Sequence, residues 1–324
     1  MTVASSASTV TSTYRSAPLL LNLEPDGGCG GWRLGSTWCN LGLWDDAASP
    51  GCSQSMPFRA ACEKLAVAVG DAAGLSRGDA VLDCGVGYAD QTAVWATHFS
   101  VQSVLAVERS AEHVAAARRA HDEGRLAGAD IVELRVGSAT DLPAVVAASA
   151  AAFAADAPLL FDAVLCLDCA YHFDTRETFL RSAGALLRPG GRFAAADLVV
   201  ADGDGEQSSL LLRWWRRIAR RVVAAVCDIP SDNLHGTARY AASLEAAGMT
   251  AVRVEDISSR VLAPFARHAA SQRTALRSSI SYGESAFLWI IGALFAFVAR
   301  HRLFAVVLVS ARKGEPQAAV MQRD

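Results

Sequence analysis

The stretch 80–90, which reads AVLDCGVGYAD, constrains the fold of this chain more than any other feature. Apolar residues lead into Asp83, and Gly85 and Gly87 follow with one residue between them. This pattern predicts a buried strand that ends in a tight turn, where the missing Cβ lets a ligand approach the backbone. The helix predicted next, over 91–99, would direct its free N–H groups and its positive end towards that ligand. The stretch therefore predicts a nucleotide-type binding site.

The identity of the ligand depends on the residues around the two glycines. The Gly-x-Gly-x-x-Gly fingerprint of dinucleotide-binding proteins would place Asp90 at its third glycine, where a carboxylate opposes a pyrophosphate. The pattern Asp-x-Gly-x-Gly-x-Ala instead resembles the first motif of class I S-adenosylmethionine (SAM) dependent methyltransferases, with Ala89 in place of a last glycine. The resemblance implies SAM as the cofactor. The motif alone leaves open an ordinary strand–turn–helix corner without a ligand.

Strand-like and helix-like segments alternate along the chain, and this alternation predicts a parallel sheet with helices on both faces. The family resemblance covers residues 36–312 and implies that the last strand, over 303–310, enters antiparallel and that a helical lid is inserted. We therefore predict an α/β fold with a doubly wound, mostly parallel, seven-stranded Rossmann-like sheet. Ligands bind beyond the carboxyl ends of the strands in such sheets. The predicted organisation is a partly disordered tail over 1–35, a domain over 36–312 with its lid at about 203–236, and a tail over 313–324.

Several residues at predicted strand ends are candidates for binding SAM. Glu108 follows the glycines by about twenty residues, where its carboxylate can accept hydrogen bonds from both hydroxyls of a ribose. The family usually has an acid at the position of Ser138, where it accepts from the adenine amino group; a serine can accept without charge assistance. The predicted cofactor-binding residues are Asp83, Gly85, Gly87, Glu108, Ser138, Ala139 and Cys166.

A second informative stretch runs from 161 to 197. A predicted strand leads into a loop with Tyr171 and His172, and a Pro-Gly-Gly turn precedes a strand that ends near Asp197. This run resembles the small-molecule subset of the same family, the sterol, tocopherol and sugar O-methyltransferase-like proteins of methyltransferase type 11. In sugar-modifying members a His and an Asp at these positions act as base and partner, which makes His172 and Asp197 the candidate catalytic residues. The alternative for His172 is a packed loop residue without a catalytic role.

The segment 36–46 carries two tryptophans and Asn40 outside any regular period, which indicates a loop packed onto the domain. It resembles the Asn-x-Gly-x-Trp element that closes over cofactor and substrate in small-molecule methyltransferases. A hydrophobic clasp on the domain is the alternative. Including residues from the predicted lid, the substrate-lining set is Asn40, Trp44, Tyr171, Trp214 and Trp215.

The segment 210–223 has the pattern of a basic amphipathic helix. With 3.6 residues per turn, five arginines (213, 216, 217, 220 and 221) share one face, and the other face carries leucine, isoleucine, valine and two tryptophans. This pattern predicts a lid whose apolar face covers the substrate. Contact with an anionic membrane surface is the alternative, and the two roles are compatible.

The segment 286–299 is apolar on every side and is followed by Arg300, His301 and Arg302. At ~1.5 Å per residue it would extend roughly 20 Å, which is short of a ~30 Å bilayer core. We therefore predict that it does not span a membrane. A buried helix, a peripheral membrane anchor and a homodimer face stay open.

Composition limits the partners and the compartment. The net charge of −3 provides no bulk attraction to nucleic acid, and the eight scattered cysteines indicate reduced thiols in an intracellular, cytoplasmic protein. Cys166 and Cys169 form a lone Cys-x-x-Cys pair, for which we predict a structural role and no metal site. Residues 1–16 favour a disordered tail over an organelle transit peptide, which stays open.

The combined patterns predict SAM-dependent methyl transfer to a small, lipophilic acceptor, at oxygen or nitrogen rather than carbon. The lipophilic character is inferred from the tryptophan-rich lid and the apolar segment 286–299. Two alternatives stay open. A nicotinamide dehydrogenase is opposed by Asp90 and by the acid before Gly85, and a degenerate SAM-fold scaffold at the membrane periphery is favoured by Ala89 and Ser138.

Overall fold

The computed structural model describes residues 17–27, 31–45, 56–152, 159–202 and 209–315. Within these ranges seven strands form one sheet, and two short strands, β1 (Leu23–Asp26) and β2 (Gly31–Leu34), form a separate antiparallel hairpin. The predicted α/β fold class is confirmed. The strands of the main sheet are β3 (Ala80–Cys84), β4 (Ser103–Glu108), β5 (Val132–Val136), β6 (Phe161–Leu167), β7 (Leu187–Val200), β8 (Met249–Asp256) and β9 (Phe304–Lys313).

The order of the strands in the main sheet is β5-β4-β3-β6-β7-β9-β8. β3 pairs in parallel with β4 on one side and with β6 on the other, whereas β9 is antiparallel to both β7 and β8. After β3 the chain forms β4 and β5 on one side of this strand, and it then returns to form β6 and β7 on the other side. This reversal creates a crevice at the carboxyl ends of the central strands, where ligands bind in doubly wound folds.

Helices cover both faces of the sheet. Val81 and Leu82, which are neighbours in β3, are fully buried in two different hydrophobic clusters, because successive side chains of a strand point to opposite faces. The central strands are therefore almost continuously apolar. In the described ranges the α-helices are α1 (Phe58–Ala73), α2 (Asp90–Thr97), α3 (Ala111–Asp122), α4 (Leu142–Ala152), α5 (Arg176–Leu186), α6 (Leu210–Val226), α7 (Thr237–Ala246), α8 (Ser258–Ala275) and α9 (Tyr282–His301).

Residues 17–27 and 31–35 pack onto the domain, so the predicted boundary at residue 36 lies too late in the chain. Gln272 of α8 donates to the carbonyl oxygens of Leu20 at 3.1 Å and Leu23 at 2.6 Å, and the Leu20 side chain is buried in the core. At the other end, β9 extends to Lys313, three residues beyond the predicted strand. The remaining parts of the predicted tails, 1–16, 28–30 and 316–324, and the lid residues 203–208 lie outside the described residues.

α9 is longer than the apolar segment from which its length was predicted. Its 20 residues extend about 30 Å at ~1.5 Å per residue, so the argument from length against a membrane span is wrong. In the described part of the chain it is the one helix long and apolar enough to cross a membrane, which by itself is weak evidence. α9 also leads through Arg302 and Leu303 directly into β9, an interior strand of the sheet.

Gly184 allows α5 to approach the turn between α7 and β8, and this contact can be tested by substitution. A Cβ at Gly184 would lie 2.5 Å from the backbone oxygen of Ala247, whereas a Cβ at Gly283 in α9 would have no neighbouring atom within 4 Å. We expect Gly184→Ala to lower the free energy of unfolding by about 1–3 kcal/mol through overpacking. Gly283→Ala should raise it by up to about 1 kcal/mol. Denaturant unfolding measures both variants, and equal effects would contradict the close approach.

Candidate active site

A cavity of about 510 Å³ lies at the carboxyl ends of β3, β4, β5 and β6, and its size suits a cofactor-sized ligand. Seven of the residues predicted from the sequence line it: Gly85, Gly87, Glu108, Ser138, Ala139, Tyr171 and His172. Further lining residues, which the sequence did not identify, include Cys39, His113, Asp168, Cys169, Phe173 and Asp228.

The glycine turn after β3 forms one wall of the cavity. Gly85 has a φ of +76° and Gly87 a φ of +56°, a left-handed conformation that glycine adopts without steric cost. A Cβ at Gly85 would also overlap with the Sγ atom of Cys169. Ala89 has a φ of 67°, so the last motif position keeps a left-handed backbone at a cost of about 1–2 kcal/mol for a non-glycine residue.

Glu108, at the end of β4, braces this turn. Its Oε2 accepts a hydrogen bond from the N–H of Gly87 and its Oε1 accepts from the N–H of Ser110, both at 2.9 Å. Each carboxylate oxygen has a second lone pair, so Glu108 can still accept from the hydroxyls of a ribose. The ribose contact stays a prediction, and the structure adds that the same carboxylate holds the glycine turn.

Ser138 and Ala139 lie in the cavity wall after β5. The Oγ of Ser138 accepts from the N–H of Thr140 at 3.2 Å and lies 2.8 Å from the Oγ1 of Thr140. The hydroxyl is therefore already engaged by a neighbour, and a contact with adenine would share it. The adenine contact stays a prediction.

Asp83 and Cys166 lie beneath the cavity and do not line its wall. Asp83 is fully buried, its Oδ2 accepts from the Nε1 of Trp95 at 2.7 Å, and burial raises the pKa of its carboxyl to about 7. Cys166 is fully buried with its sulfur 3.3 Å from that of Cys169, and Cys169 is the one that lines the cavity. Asp83 and Cys166 therefore support the residues of the wall from beneath, and their predicted part in binding the cofactor stays a prediction.

The segment 36–45 closes one side of the cavity. The N–H of Leu41 donates to Oδ2 of Asp168 at 2.7 Å, and Thr37 donates to Asp90 through its N–H at 3.2 Å and through its hydroxyl. These bonds tie the segment to the ends of β6 and the start of α2. Cys39, between them, contributes to the cavity wall.

Asn40 and Trp44 of this segment differ in their surroundings. Asn40 lines a small pocket of about 50 Å³ beside Gly87, and its Oδ1 accepts from the N–H of Gly42 at 2.8 Å. Trp44 is only 5% exposed, with its ring 5.3 Å from His268 and 6.2 Å from Phe58. The predicted substrate-lining role of Trp44 is wrong, because this side chain belongs to the core.

Trp214 and Trp215 of α6 do not line the cavity either, which corrects the predicted covering role of this helix. Trp214 is 64% exposed, and Trp215 packs on Phe297 and His301 of α9 with centroids 6.0 and 5.0 Å apart. The predicted five-arginine face is also divided, because Arg220 turns inward and donates to the carbonyl oxygens of two residues. These acceptors are Leu303 at 2.9 Å and Ala201 at 3.1 Å.

His172 is held by the inserted segment. Its Nδ1 lies 3.1 Å from the carbonyl oxygen of Asp228, which lines the cavity just after α6. A carbonyl only accepts, so this hydrogen bond requires the proton on Nδ1 and leaves Nε2 of the neutral ring as the basic nitrogen. The ring of Tyr171 packs beside His172 with centroids 4.2 Å apart.

Asp197 is not the partner of His172. It is fully buried, and its Oδ2 lies 3.0 Å from the Nε of Arg176. Its Oδ1 accepts from the N–H groups of Tyr171 at 3.0 Å and Leu198 at 2.8 Å. Burial raises the pKa of Asp197, although Arg176 opposes this shift. The predicted catalytic role of Asp197 is therefore corrected to a positioning role on the backbone of Tyr171.

Asp168 is an acid in the cavity wall that the sequence analysis did not select. It is 7% exposed, and burial raises the pKa of its carboxyl to about 7. A bound cation would favour its ionised form. Asp168 directly follows β6, and this position after a buried strand is a signal that could have identified it. Asp228 has no such signal, because its place depends on how α6 packs.

Comparisons with known proteins show which family and which fold the chain resembles. Residues 82–195 match the family described as a methyltransferase domain. Erythromycin 3''-O-methyltransferase of Saccharopolyspora erythraea is 30% identical over 234 residues, which are 70% of this chain and 67% of that protein. The [4+2]-cyclase SpnF matches with a TM-score of 0.63 at 18% identity, over 96% of this chain and 97% of that chain. Geranyl diphosphate C-methyltransferase from Streptomyces coelicolor A3(2) matches with a TM-score of 0.61 at 18% identity, over 92% and 96%.

The fold and the cavity define a Rossmann-like protein with a SAM-type site. The solved structures show the similarity of the fold alone, because one of these proteins is named a cyclase and so the fold does not specify methyl transfer. The assignment to a methyltransferase family rests on the sequence comparison with the O-methyltransferase. The chain belongs to the class I SAM-dependent methyltransferases, and its cofactor is SAM. The residues present fit this cofactor, because the glycine turn leaves open backbone and because Glu108 and Asp168 place carboxylates in the wall for hydroxyl groups and positive charge.

Gly85→Ala tests the glycine wall. We expect this variant to bind SAM about tenfold more weakly or worse, because the new Cβ would displace Cys169 and strain the turn. Gly74→Ala is the matched control, since Gly74 also has a positive φ (+61°) but a Cβ there would have no neighbour within 4 Å. Calorimetric titration with SAM measures both, and unchanged affinity in Gly85→Ala would contradict the assignment of this wall.

Arg176→Met tests the buried ion pair. We expect a loss of about 3–5 kcal/mol in the free energy of unfolding, because the carboxylate of Asp197 would be left buried without a counter-charge. Arg239→Met, in an exposed pair with Glu177, should change it by no more than about 1 kcal/mol.

The same variant has an expected pH dependence. Without Arg176 the pKa of Asp197, already raised by burial, should rise further, and a raised pKa favours the folded state as pH falls. The difference in unfolding free energy between wild type and Arg176→Met should therefore shrink from pH 8 towards about pH 5. A difference that is constant over this range would contradict the buried, ionised Asp197.

Proposed function

We propose that the chain methylates a hydroxyl oxygen of a small, lipophilic molecule, with an amine nitrogen as the second candidate acceptor. The observation that carries the proposal is that one cavity is lined both by the glycine turn with Glu108 and by His172 with Tyr171. The cofactor region and a candidate base therefore share the same space. The similarity to a protein named as an O-methyltransferase supports oxygen as the acceptor atom.

The residues of the chain align the acceptor and hold its proton. SAM, when bound, supplies an electrophilic methyl group on a sulfonium. Alignment of the acceptor against that methyl group should provide most of the rate acceleration. His172 accepts the hydroxyl proton at Nε2, because its Nδ1 donates to the carbonyl of Asp228. A positioned base of this kind contributes about 10²–10⁴-fold.

The walls near His172 support a lipophilic acceptor. Tyr171 and Phe173 line the cavity on either side of His172 in the chain, and the segment 36–45 lies across another side. Aromatic walls bind apolar surface and exclude water from the reacting groups. Asp168, with a pKa raised to about 7 by burial, adds one polar group that can orient a bound molecule.

A degenerate SAM-fold scaffold without catalysis is the second candidate function. It is favoured by the left-handed backbone of Ala89, where glycine would be unstrained, and by Ser138 in place of the usual acid. Calorimetric titration with SAM separates the methyltransferase from a scaffold that has lost its cofactor, because such a scaffold would release no heat of binding.

We also propose that the protein works inside the cell, in the cytoplasm. Among the described residues, Cys39, Cys62, Cys84, Cys166, Cys169 and Cys227 are free thiols, which is typical of a reducing compartment. Targeting to an organelle would depend on residues 1–16, which lie outside the described ranges.

The test of the proposed function combines label transfer with a variant of the base. The protein is incubated with methyl-labelled SAM and a cell extract, and the mixture is partitioned between organic and aqueous phases. We expect label in the organic phase. We expect His172→Ala to lower its rate of transfer by about 10²–10⁴-fold while the affinity for SAM is nearly unchanged.

His98→Ala is the matched control, because His98 follows the far end of α2 and does not line the cavity. This variant should transfer label at the wild-type rate. Equal loss of turnover and SAM binding in His172→Ala would rule out His172 as the base. Label confined to the aqueous phase would contradict the lipophilic acceptor.

A further inference from the structure

Three neighbouring helices carry a charge opposite to that of the chain as a whole. α6, α8 and α9 together contain nine arginines and one carboxylate, that of Glu284, whereas the net charge of the chain is −3. Glu284 is itself engaged, because it forms a capping box with Ser281 at the start of α9. The helices therefore create a local positive potential that attracts an anionic surface.

The outer face of α6 carries two parallel rows of exposed side chains. The apolar row consists of Trp214, Ile218, Val222 and Val226, and the basic row consists of Arg213, Arg217 and Arg221. Residues four apart lie on one face of a helix, so each row is a continuous stripe. The stripes are adjacent because Trp214 and Arg217, like Ile218 and Arg221, are three residues apart. A helix of a soluble domain normally buries its apolar stripe, but this one faces solvent.

α9 lies against the inward side of α6 and exposes aromatic side chains of its own. Trp215 of α6 packs edge-to-face on Phe297 of α9. Phe297 is 37% exposed and the more distant Trp289 is 58% exposed. Beside Trp289, a groove of about 720 Å³ runs between α8 and α9. The basic residues that line this groove are Arg267, Arg273 and Arg300.

We propose that this arginine-rimmed surface, formed by the outer faces of α6 and α9 and the groove between α8 and α9, docks the protein on an anionic lipid bilayer. The arginines supply attraction to anionic headgroups, and exposed tryptophans such as Trp214 and Trp289 are typical of side chains at headgroup level. The proposal does not rest on the proposed acceptor or on the role of His172.

A second copy of the chain fits this surface less well than lipid does. A twofold dimer would bring the same patch of each copy together, so that two arginine-rich surfaces with one carboxylate each, that of Glu284, would meet. Like charges across an interface oppose association. Anionic headgroups provide the opposite charge along the whole length of the rows.

The packing of α9 favours a position along the bilayer surface over a position across it. Leu288, Gly292 and Val298 are buried, and a Cβ at Gly292 would lie 3.5 Å from the Cβ of Ala269 in α8. A membrane span would have to separate α9 from α8 and withdraw the start of β9 from the sheet. An amphipathic surface that lies in the headgroup region requires neither change.

Docking through α6 has a consequence for the cavity. α6 ends at Val226, two residues before Asp228, whose carbonyl oxygen holds the ring of His172. The docked surface and one edge of the cavity are therefore adjacent in the chain. A lipophilic acceptor dissolved in the bilayer would meet the protein next to its candidate base.

Vesicle binding tests the proposal. Full-length protein is sedimented with vesicles of phosphatidylcholine alone and of phosphatidylcholine with phosphatidylglycerol. We expect binding to the anionic vesicles only, weakening as the salt concentration rises. Arg217→Gln combined with Arg221→Gln should weaken binding by roughly 30-fold, since each arginine near the surface contributes about fivefold. Trp214→Ser combined with Ile218→Ser should also weaken it.

Matched controls separate this surface from general charge. Arg119→Gln combined with Arg181→Gln removes two exposed arginines from α3 and α5 and should leave vesicle binding unchanged. All variants should keep the SAM affinity of the wild type, which shows that they fold. Absence of binding, equal binding to neutral vesicles, or equal loss in the control pair would overturn the proposal. A dimer in light scattering that is dissociated by Trp214→Ser, without vesicle binding, would assign the surface to a second copy.

Discussion

The close approach between the turn after β3 and the loop after β6 is the constraint on which the candidate active site depends. Gly85 has no side chain, and the Sγ of Cys169 occupies the space that a Cβ would fill. The same sulfur donates to the carbonyl oxygen of Cys84 at 3.3 Å. This contact holds the ends of two parallel strands together. As a result, the wall that receives the cofactor and the loop with Tyr171 and His172 border a single cavity.

A buried polar network determines where that loop lies. Asp197 binds both the N–H of Tyr171 and the side chain of Arg176, and Asn233 donates to the carbonyl oxygens of Tyr171 at 3.0 Å and Phe173 at 2.7 Å. Buried polar groups need partners, so the network can form in few other ways. Asp197, as a consequence, acts on the backbone of the loop, while the carbonyl of Asp228 orients His172. The inserted segment contributes to the site through its return to the domain and not through its apolar face.

The division of α6 into an inward and an outward side links the site to the surface. Its inward side is held by Arg220, which donates to two carbonyl oxygens, and by the packing of Trp215 on α9. These contacts leave Trp214 and Ile218 in solvent with a row of arginines beside them. A helix with this pattern can cover a cavity or contact another surface, and the residues that bind the domain decide between the two. In this protein the side of α6 that packs on the domain includes Arg220, whereas the apolar row with Trp214 and Ile218 faces solvent.

The sequence by itself determined the sheet, the glycine turn and Glu108 at the end of β4, whereas the antiparallel direction of the last strand was implied by the family resemblance. The sheet, the turn and the strand end follow from hydrophobic periods and from the order of elements, which are patterns between residues that are close together in the chain. Only the tertiary structure decided that Asp197 pairs with Arg176, that Trp44 belongs to the core, that Asp228 holds His172 and that the apolar row of α6 faces outward. Each of these depends on which distant elements pack together. The bond between Leu41 and Asp168 joins residues 127 positions apart, and no local pattern specifies such a pairing, because its free energy exists only once the elements have docked.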